Sequence, residues 1–349
     1  MKKPSLFVAG SFDDNCGKPS KIAQQVFEAV KSPGTAYYNG GSFQSLQQII
    51  EDIEQYRLVF WFADVPNDKP KLVNEIKQKN KECVLVTSKR NVDGKYTFED
   101  LTYRALGIKS NLFVEFIKEN DRYKGRVADP LGNVFLDYSE DFSRVGKALG
   151  KRAYELLRYT RVPSSRFGDK TDVPDEDLFF RIVKDYADVF HGLVHAHPEA
   201  TNRFFGNASF RSDNNIFVTR RNVDKREAGK DMFVGVKKEL PVQYLGESKP
   251  SVDAPVQIEL YNQYPFINYM IHSHTYIKGA PFTSSIIPCG ALEEVREIAS
   301  LFPYKEELGF NVNLLGHGSL ALSSKSRWLR GIHHVARAVP EVHDYFKWK

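Results

Sequence analysis

The chain has 349 residues, 42% apolar and 13% aromatic, which is ample for a sizeable core and makes two domains the expectation. Forty-nine basic residues against 44 acidic ones leave a net charge of +5 (pI ≈ 8.8), spread along the chain, so the charge requires no nucleic-acid partner. No apolar stretch reaches bilayer length and no secretory core follows the first residues, so no membrane partner and a cytoplasmic location are the expectations. Cys16, Cys83 and Cys289 have unrelated spacings, form no CxxC knuckle, and read as reduced thiols.

Residues 5–10 form an apolar run that reads as a buried strand, and the turn 11–20 leads into a helical pattern over 21–30. Strand, glycine turn and helix is how a phosphate-binding loop begins. Here, however, six residues separate Gly10 from Gly17-Lys18, proline follows the lysine, and no GxGxxG is present, so a plain strand-to-helix turn is the favoured reading. The alternation continues with a helix over 45–53, a strand over 58–63, a helix over 71–76 and a strand over 83–87. This pattern predicts an α/β fold with a doubly wound, Rossmann-like parallel sheet over 1–160. Ser11, Asp13, Asn39, Asp64 and 88–90 would then lie at the carboxyl ends of strands, where such sheets bind ligands, though a fold alone assigns no role to them. Residues 111–117 and 122–133 read as hairpin material, and 144–158 as a helix.

Residues 161–174 contain two prolines and several turn formers, and read as a linker to a second domain over 175–349. Acidic residues 175–177 open a helix carrying Leu178, Phe179, Ile182, Val183 and Tyr186 at helical spacing. His195-Ala196-His197 follows near the expected helix end and, with no strand before it, reads as a cap or loop. The second His-x-His is different. The β-prone run 265–271 ends in His272-Ser273-His274, and strand alternation sends both imidazoles to one face, within reach of one ion. His317 lies in another short apolar run broken by glycines. Three neutral imidazoles with one position left open form the ligand set of a catalytic, zinc-type site rather than a closed structural one. Tyr276 and Lys278, just past the pair, are candidate donors to a developing oxyanion, with surface positions as the alternative. The basic, aromatic tail from 327 onward, with His333, His334 and His343, reads as a docking helix.

From about 178 to 325 the sequence resembles the class II aldolase/adducin family. Gly206-Asn207-Ala208-Ser209-Phe210-Arg211 is similar to its Gly-Asn-x-Ser-x-Arg segment, and Asn215 to Thr219 followed by Lys225 to its strand and lysine. Lys249-Pro250-Ser251-Val252-Asp253 looks like its Pro-Ser-Ser-Glu, and His272-x-His274 and His317-Gly318 complete five matches in the same order. The resemblance implies an α/β/α domain whose metal ligands are His272, His274 and His317, the divalent metal being zinc first. It also implies a phosphate or carboxylate pocket at Gly206, Asn207, Thr219 and Ser251. Asp253 stands where the family has a glutamate close to the metal; one methylene shorter, it is expected to keep acid/base work more readily than direct ligation. Where relatives have Pro-Ser-Gly this chain has Arg220-Arg221, two guanidinium groups suited to an anionic substrate if turned inward and otherwise a solvated basic turn. By resemblance to dehydratase members Glu294 is the candidate base, with Glu293 and Glu297 as rivals and helix-dipole partnership as the alternative.

These readings converge on a divalent-metal-dependent lyase of the aldolase type, cleaving a small phosphorylated or carboxylated sugar through a stabilised enediolate. Asp253, Glu294 and Tyr276 are the expected catalytic residues. Epimerase or dehydratase chemistry on the same scaffold, or an adducin-like assembly role without catalysis, are the alternatives. The family resemblance further implies a homo-oligomer, expected to be a tetramer, with the active site between subunits.

Overall fold

The computed structural model of the chain describes residues 5–14, 16–65, 69–194, 204–213, 215–303 and 308–337. His195, His197 and His343 lie outside them. The chain divides into two compact units, Met1–Arg158 and Tyr159–Lys349.

The first unit is built on a seven-stranded sheet of order β2-β1-β3-β4-β5-β6-β7. Its strands are β1 (Ser5–Phe12), β2 (Ala36–Gly41), β3 (Leu58–Asp64), β4 (Val84–Arg90), β5 (Leu112–Glu119), β6 (Arg122–Ala128) and β7 (Val134–Ser139). The first five pair in parallel, and β6 and β7 are antiparallel additions. Helices α1 (Lys21–Val30), α2 (Phe43–Glu51), α3 (Lys69–Lys79), α4 (Phe98–Gly107) and α5 (Phe142–Leu156) accompany them. The parallel order 2-1-3-4-5 is that of a doubly wound sheet. Covered on both faces, β1 and β3 are continuous apolar runs, with Leu6, Phe7, Val8, Leu58, Val59 and Phe60 wholly buried.

The turn after β1 satisfies itself. Ser11 N donates to Lys18 O (2.9 Å), Gly17 N to Gly41 O (3.0 Å), Lys18 N to Ser11 Oγ (2.7 Å) and Ser20 N to Asn39 Oδ1 (2.8 Å). Ser20 then caps α1 by accepting from Ala23 N. These four main-chain donors are thus engaged within the chain, a pattern a plain strand-to-helix connection also shows.

The second unit is organised by an eight-stranded sheet of order β15-β16-β13-β9-β10-β11-β12-β8. It comprises β8 (Ser164–Gly168), β9 (Asn207–Ser212), β10 (Asn215–Thr219), β11 (Phe233–Val236), β12 (Val242–Leu245), β13 (Tyr269–Ser273), β15 (Gly309–Leu314) and β16 (Gly318–Ser323). Strands β14 (Thr275–Ile277) and β17 (His334–Arg337) make a separate pair. Alternation along each strand feeds two cores. Ile216, Val218, Met270 and Leu320 pack with Val256, Ile258 and Leu260 of α7 (Ala254–Gln263) and Ile298 of α8 (Glu293–Leu301). Phe210, Phe217, Ile271 and Ala321 pack with Phe179, Phe180 and Val183 of α6 (Asp177–Val194). The sheet thus lies between α6 on one face and α7 and α8 on the other.

Two expectations change. Residues 161–174 are not a free linker: Ser164 to Gly168 pair in parallel with β12, because an extended serine-rich segment supplies the edge strand that the sheet lacks there. The tail, expected as a docking helix from 327 onward, is helical only in a short 3-10 segment, Ser326–Leu329, after which His334 to Arg337 form β17 against β14. No helix among the described residues is long and apolar enough to cross a membrane.

Candidate metal centre

Strand β13 supplies His272, and His274 follows in the bend between β13 and β14. Met270 belongs to the core beneath α7 and α8, and the period of two places His272 on that same face. Register sets His272 opposite Asn207 of β9 on one side and Leu320 of β16 on the other. His317 sits in the turn from β15 to β16, which closes against the end of β13. Gly318, at φ +142°, makes that approach possible, since a Cβ there would lie 1.9 Å from Ser273 O.

Residues distant in sequence meet as a result. Ring centroids are 5.1 Å apart for His272 and His274, 4.6 Å for His272 and His317, and 5.2 Å for His274 and His317. One ligand-capable atom from each ring lies within 4.8 Å of the other two. Hydrogen bonds set two of the tautomers. His272 Nδ1 donates to Ser319 O (3.0 Å), leaving the Nε2 lone pair buried with no partner. His317 Nδ1 donates to Glu294 Oε1 (3.0 Å), and its Nε2 faces Cys289 Sγ at 2.9 Å. An imidazole whose Nδ1 is held by a carbonyl or carboxylate is the form that offers Nε2 to a metal.

Charge divides the pair unequally. Burial, and then the neighbouring His317, pull His272 down to about 4. Burial also lowers His317, but Cys289 and Glu294 outweigh it and hold that imidazole well above its ordinary value. A proton therefore prefers His317, and a cation taking its Nε2 lone pair must displace that proton. Glu294, 3% exposed, is itself raised by burial, against the lowering pull of His317.

Asp253 adjoins the triad from the N-terminus of α7. It occupies the N-cap position yet makes no side-chain cap. Its Oδ2 instead accepts from Asn207 Nδ2 (2.7 Å), while Oδ1 is buried with no partner. Asn207 is held in turn by Gln257 Nε2, which donates to its Oδ1. Lys225, 1% exposed, adds a buried ammonium; burial lowers it to about 8, against the raising pull of Asp224 and Asp253. The orphaned His272 Nε2 and Asp253 Oδ1, which have no hydrogen bond to give up, stand beside two further imidazoles, and this set of nitrogen donors with one carboxylate oxygen fits a divalent cation.

The other expected site residues divide. Ser251 N donates to Thr219 O (2.9 Å) and an isolated bridge joins Arg220 to Pro250, so segment 249–253 lies along the end of β10. Asn207, Thr219 and Ser251 are brought to this corner, with Gly206 at φ +71° entering β9 beside them. Thr219 Oγ1 accepts from Ala208 N (3.2 Å), and Ser251 Oγ from Asp253 N (3.3 Å). Arg220 is half-buried with Nε lacking a partner, whereas Arg221 is exposed. Tyr276 is 1% exposed and its hydroxyl accepts from Gly316 N (2.9 Å), so it braces the turn that presents His317. Glu294 stands behind His317. Its rivals are engaged elsewhere, Glu293 with Thr160 and Glu297 with Ser284 and Ser285. Lys278 is exposed. Sequence reasoning passes over Cys289 and Gln257: a cysteine outside any motif and a glutamine in mid-helix carry no spacing signal.

Residues 186–290 match the family described as Class II Aldolase and Adducin N-terminal domain. No curated protein matches. Among solved structures, the L-fuculose-1-phosphate aldolase from Thermus Thermophilus is similar at 20% identity, covering 42% of this chain and 79% of that one, with a TM-score of 0.31. A putative aldolase/epimerase/decarboxylase, YgbL, from Klebsiella pneumoniae is similar at 16% identity, covering 43% and 79%, with a TM-score of 0.32. The DNA/pantothenate metabolism flavoprotein from Streptococcus pneumoniae is similar at 9% identity, covering 44% and 99%, with a TM-score of 0.35. The segment that carries Asn207, Asp253, His272, His274 and Cys289 is thus matched to the class II aldolase and adducin family, and the N-terminal half is matched to none.

Proposed function

We propose that the second unit is a divalent-metal-dependent lyase of the aldolase type, acting on a small sugar-like substrate that carries a phosphate or carboxylate. The observation that supports it most is the gathering of His272, His274 and His317, with His272 Nε2 and Asp253 Oδ1 buried and unpartnered. A cation held by the three imidazoles, with zinc the first candidate for a nitrogen-rich set, supplies Lewis-acid polarisation and charge stabilisation to the oxygens of a hydroxy-ketone.

The chain's own groups do the rest. Asp253 Oδ1 is the base that takes the hydroxyl proton whose loss lets the C–C bond break. Asn207 fixes the carboxylate through Oδ2, leaving Oδ1 to receive that proton. Asp253 in turn favours the charged form of the buried Lys225 ammonium. Glu294 is a positioning residue, holding His317 by Nδ1 so that Nε2 points at the centre. Thr219, Ser251 and the half-buried Arg220 are the donors proposed for the anionic end of the substrate.

The test is to incubate the metal-loaded protein with a panel of sugar phosphates and sugar acids and follow released aldehyde. Cleavage of one member by wild type and its loss in His272→Ala is the expected result. Release unaffected by His272→Ala, or no release from any member, counts against the reading.

A further inference from the structure

Cys289 lies in the turn that enters α8. Its neighbour Gly290, at φ +73°, packs so closely that a Cβ there would lie 2.6 Å from Val252 O, which fixes the turn beside the Asp253 segment. The thiol sulfur is 2.9 Å from His317 Nε2, the nitrogen that hydrogen bonding to Glu294 turns toward the centre. Ligand-capable atoms of Asp253, Cys289 and His317 lie within 4.8 Å of one another, and so do those of His272, His274 and His317. Both groups share His317. Independently, His272 (2% exposed) and Asp253 (8% exposed) each leave a polar atom in this space without a hydrogen bond.

We propose that Cys289 Sγ is a fourth protein ligand of the metal, joining His272, His274 and His317 in the substrate-free centre and yielding its position to substrate oxygen. This rests on the reading that the imidazoles bind a metal. On ligation the thiol gives its proton to solvent and the sulfur binds as thiolate; on release it takes a proton back. A thiolate beside imidazoles selects zinc or cobalt over magnesium and manganese, which prefer oxygen donors. Sulfur also lowers the net charge of the resting centre, so a substrate oxyanion must displace a ligand of its own sign. That makes the fourth position a filter for substrates able to chelate through two oxygens.

The test loads the metal-free full-length protein with Co2+ and records its absorption spectrum and bound-metal stoichiometry. Wild type is expected to bind a single equivalent and to show a near-ultraviolet sulfur-to-cobalt charge-transfer band. Cys289→Ser is expected to keep the stoichiometry, lose that band and bind cobalt about tenfold or more weakly. Peptide-mapped alkylation of wild type adds a readout independent of any variant's folding. Zn2+ is expected to protect Cys289 while exposed Cys16 reacts at an unchanged rate. A stoichiometric cobalt complex without the charge-transfer band, or Cys289 alkylated equally fast with and without Zn2+, overturns the ligand assignment and leaves the metal centre standing. Absence of any bound cobalt overturns both.

Discussion

Asp253 sits at the N-cap of α7 but turns its carboxylate to Asn207, 2.7 Å away, instead of to the helix. An N-cap side chain that declines the cap forgoes roughly 1 kcal/mol of helix stabilisation. It also leaves Oδ1 buried and unsatisfied, a cost of about 1–3 kcal/mol. Both costs are borne next to three histidines, where a base is wanted. Asp253→Asn is therefore expected to fold with unchanged circular dichroism and to retain metal. Its kcat/KM for aldehyde release should fall by about two to four orders of magnitude, the usual worth of a positioned base. Activity within a few-fold of wild type assigns the proton to another group.

By sequence Glu294 is a candidate base, and its contact with His317 Nδ1 distinguishes that role from a positioning one. Glu294→Ala is expected to weaken metal binding by about 10–100-fold, as loss of a ligand's supporting partner does. At saturating metal most of the turnover should return. Glu294→Gln, whose amide oxygen can still accept from Nδ1, should bind metal more tightly than the alanine variant. Competitive metal titration measures the affinity, and turnover at saturating metal separates the two roles.

Lys225 is buried at a cost that Asp224 and Asp253 offset only in part, since its ammonium is still lowered to about 8. Lys225→Met, similar in length and apolar, removes that desolvation and is expected to leave the urea midpoint unchanged or raised. Turnover should nonetheless fall, because Asp253 loses a favourable neighbour. A lowered midpoint together with intact turnover would mark Lys225 as merely structural.

His334 contributes to the acid limb of stability. Its Nδ1 lies 2.6 Å from Thr275 Oγ1, and burial, then the charge of His333, pulls it down to about 4. The unfolded imidazole titrates near 6.5, so between these values the unfolded chain holds the extra proton and stability rises with pH. The contribution is complete above about 6.5 and is lost as pH falls toward 4. Chemical denaturation of His334→Gln across this window is expected to show a shallower loss on acidification than wild type. Parallel curves would remove His334 from the account.

Much of this is legible without coordinates. The alternation of apolar runs and helical spacings points to the parallel sheet of the first unit, because strands covered on both faces must be apolar throughout. His272 and His274 announce themselves by a spacing of two at the end of a β-prone run, and His317 by its glycine-flanked turn. The supporting residues leave no such trace. That Glu294 lies behind His317 follows from packing of α8 against the sheet, and that Tyr276 braces Gly316 follows from the crossing of β14 near β15; neither is a spacing rule. Residues 161–174 read as a linker because a polar edge strand has a linker's composition, and only its pairing with β12 distinguishes the two. Cys289 is invisible for a similar reason, since a thiol becomes informative only when its neighbour is known.

The central claim is that His272, His274 and His317 converge on one divalent cation. Elemental analysis of full-length protein after equilibration with Zn2+ and removal of free metal tests it most directly, with His272→Ala and His317→Ala treated alongside. A single equivalent of zinc is expected in wild type and a substoichiometric amount in both variants, each still folded by circular dichroism. Wild-type protein without bound zinc, or variants that retain as much as wild type, would contradict it.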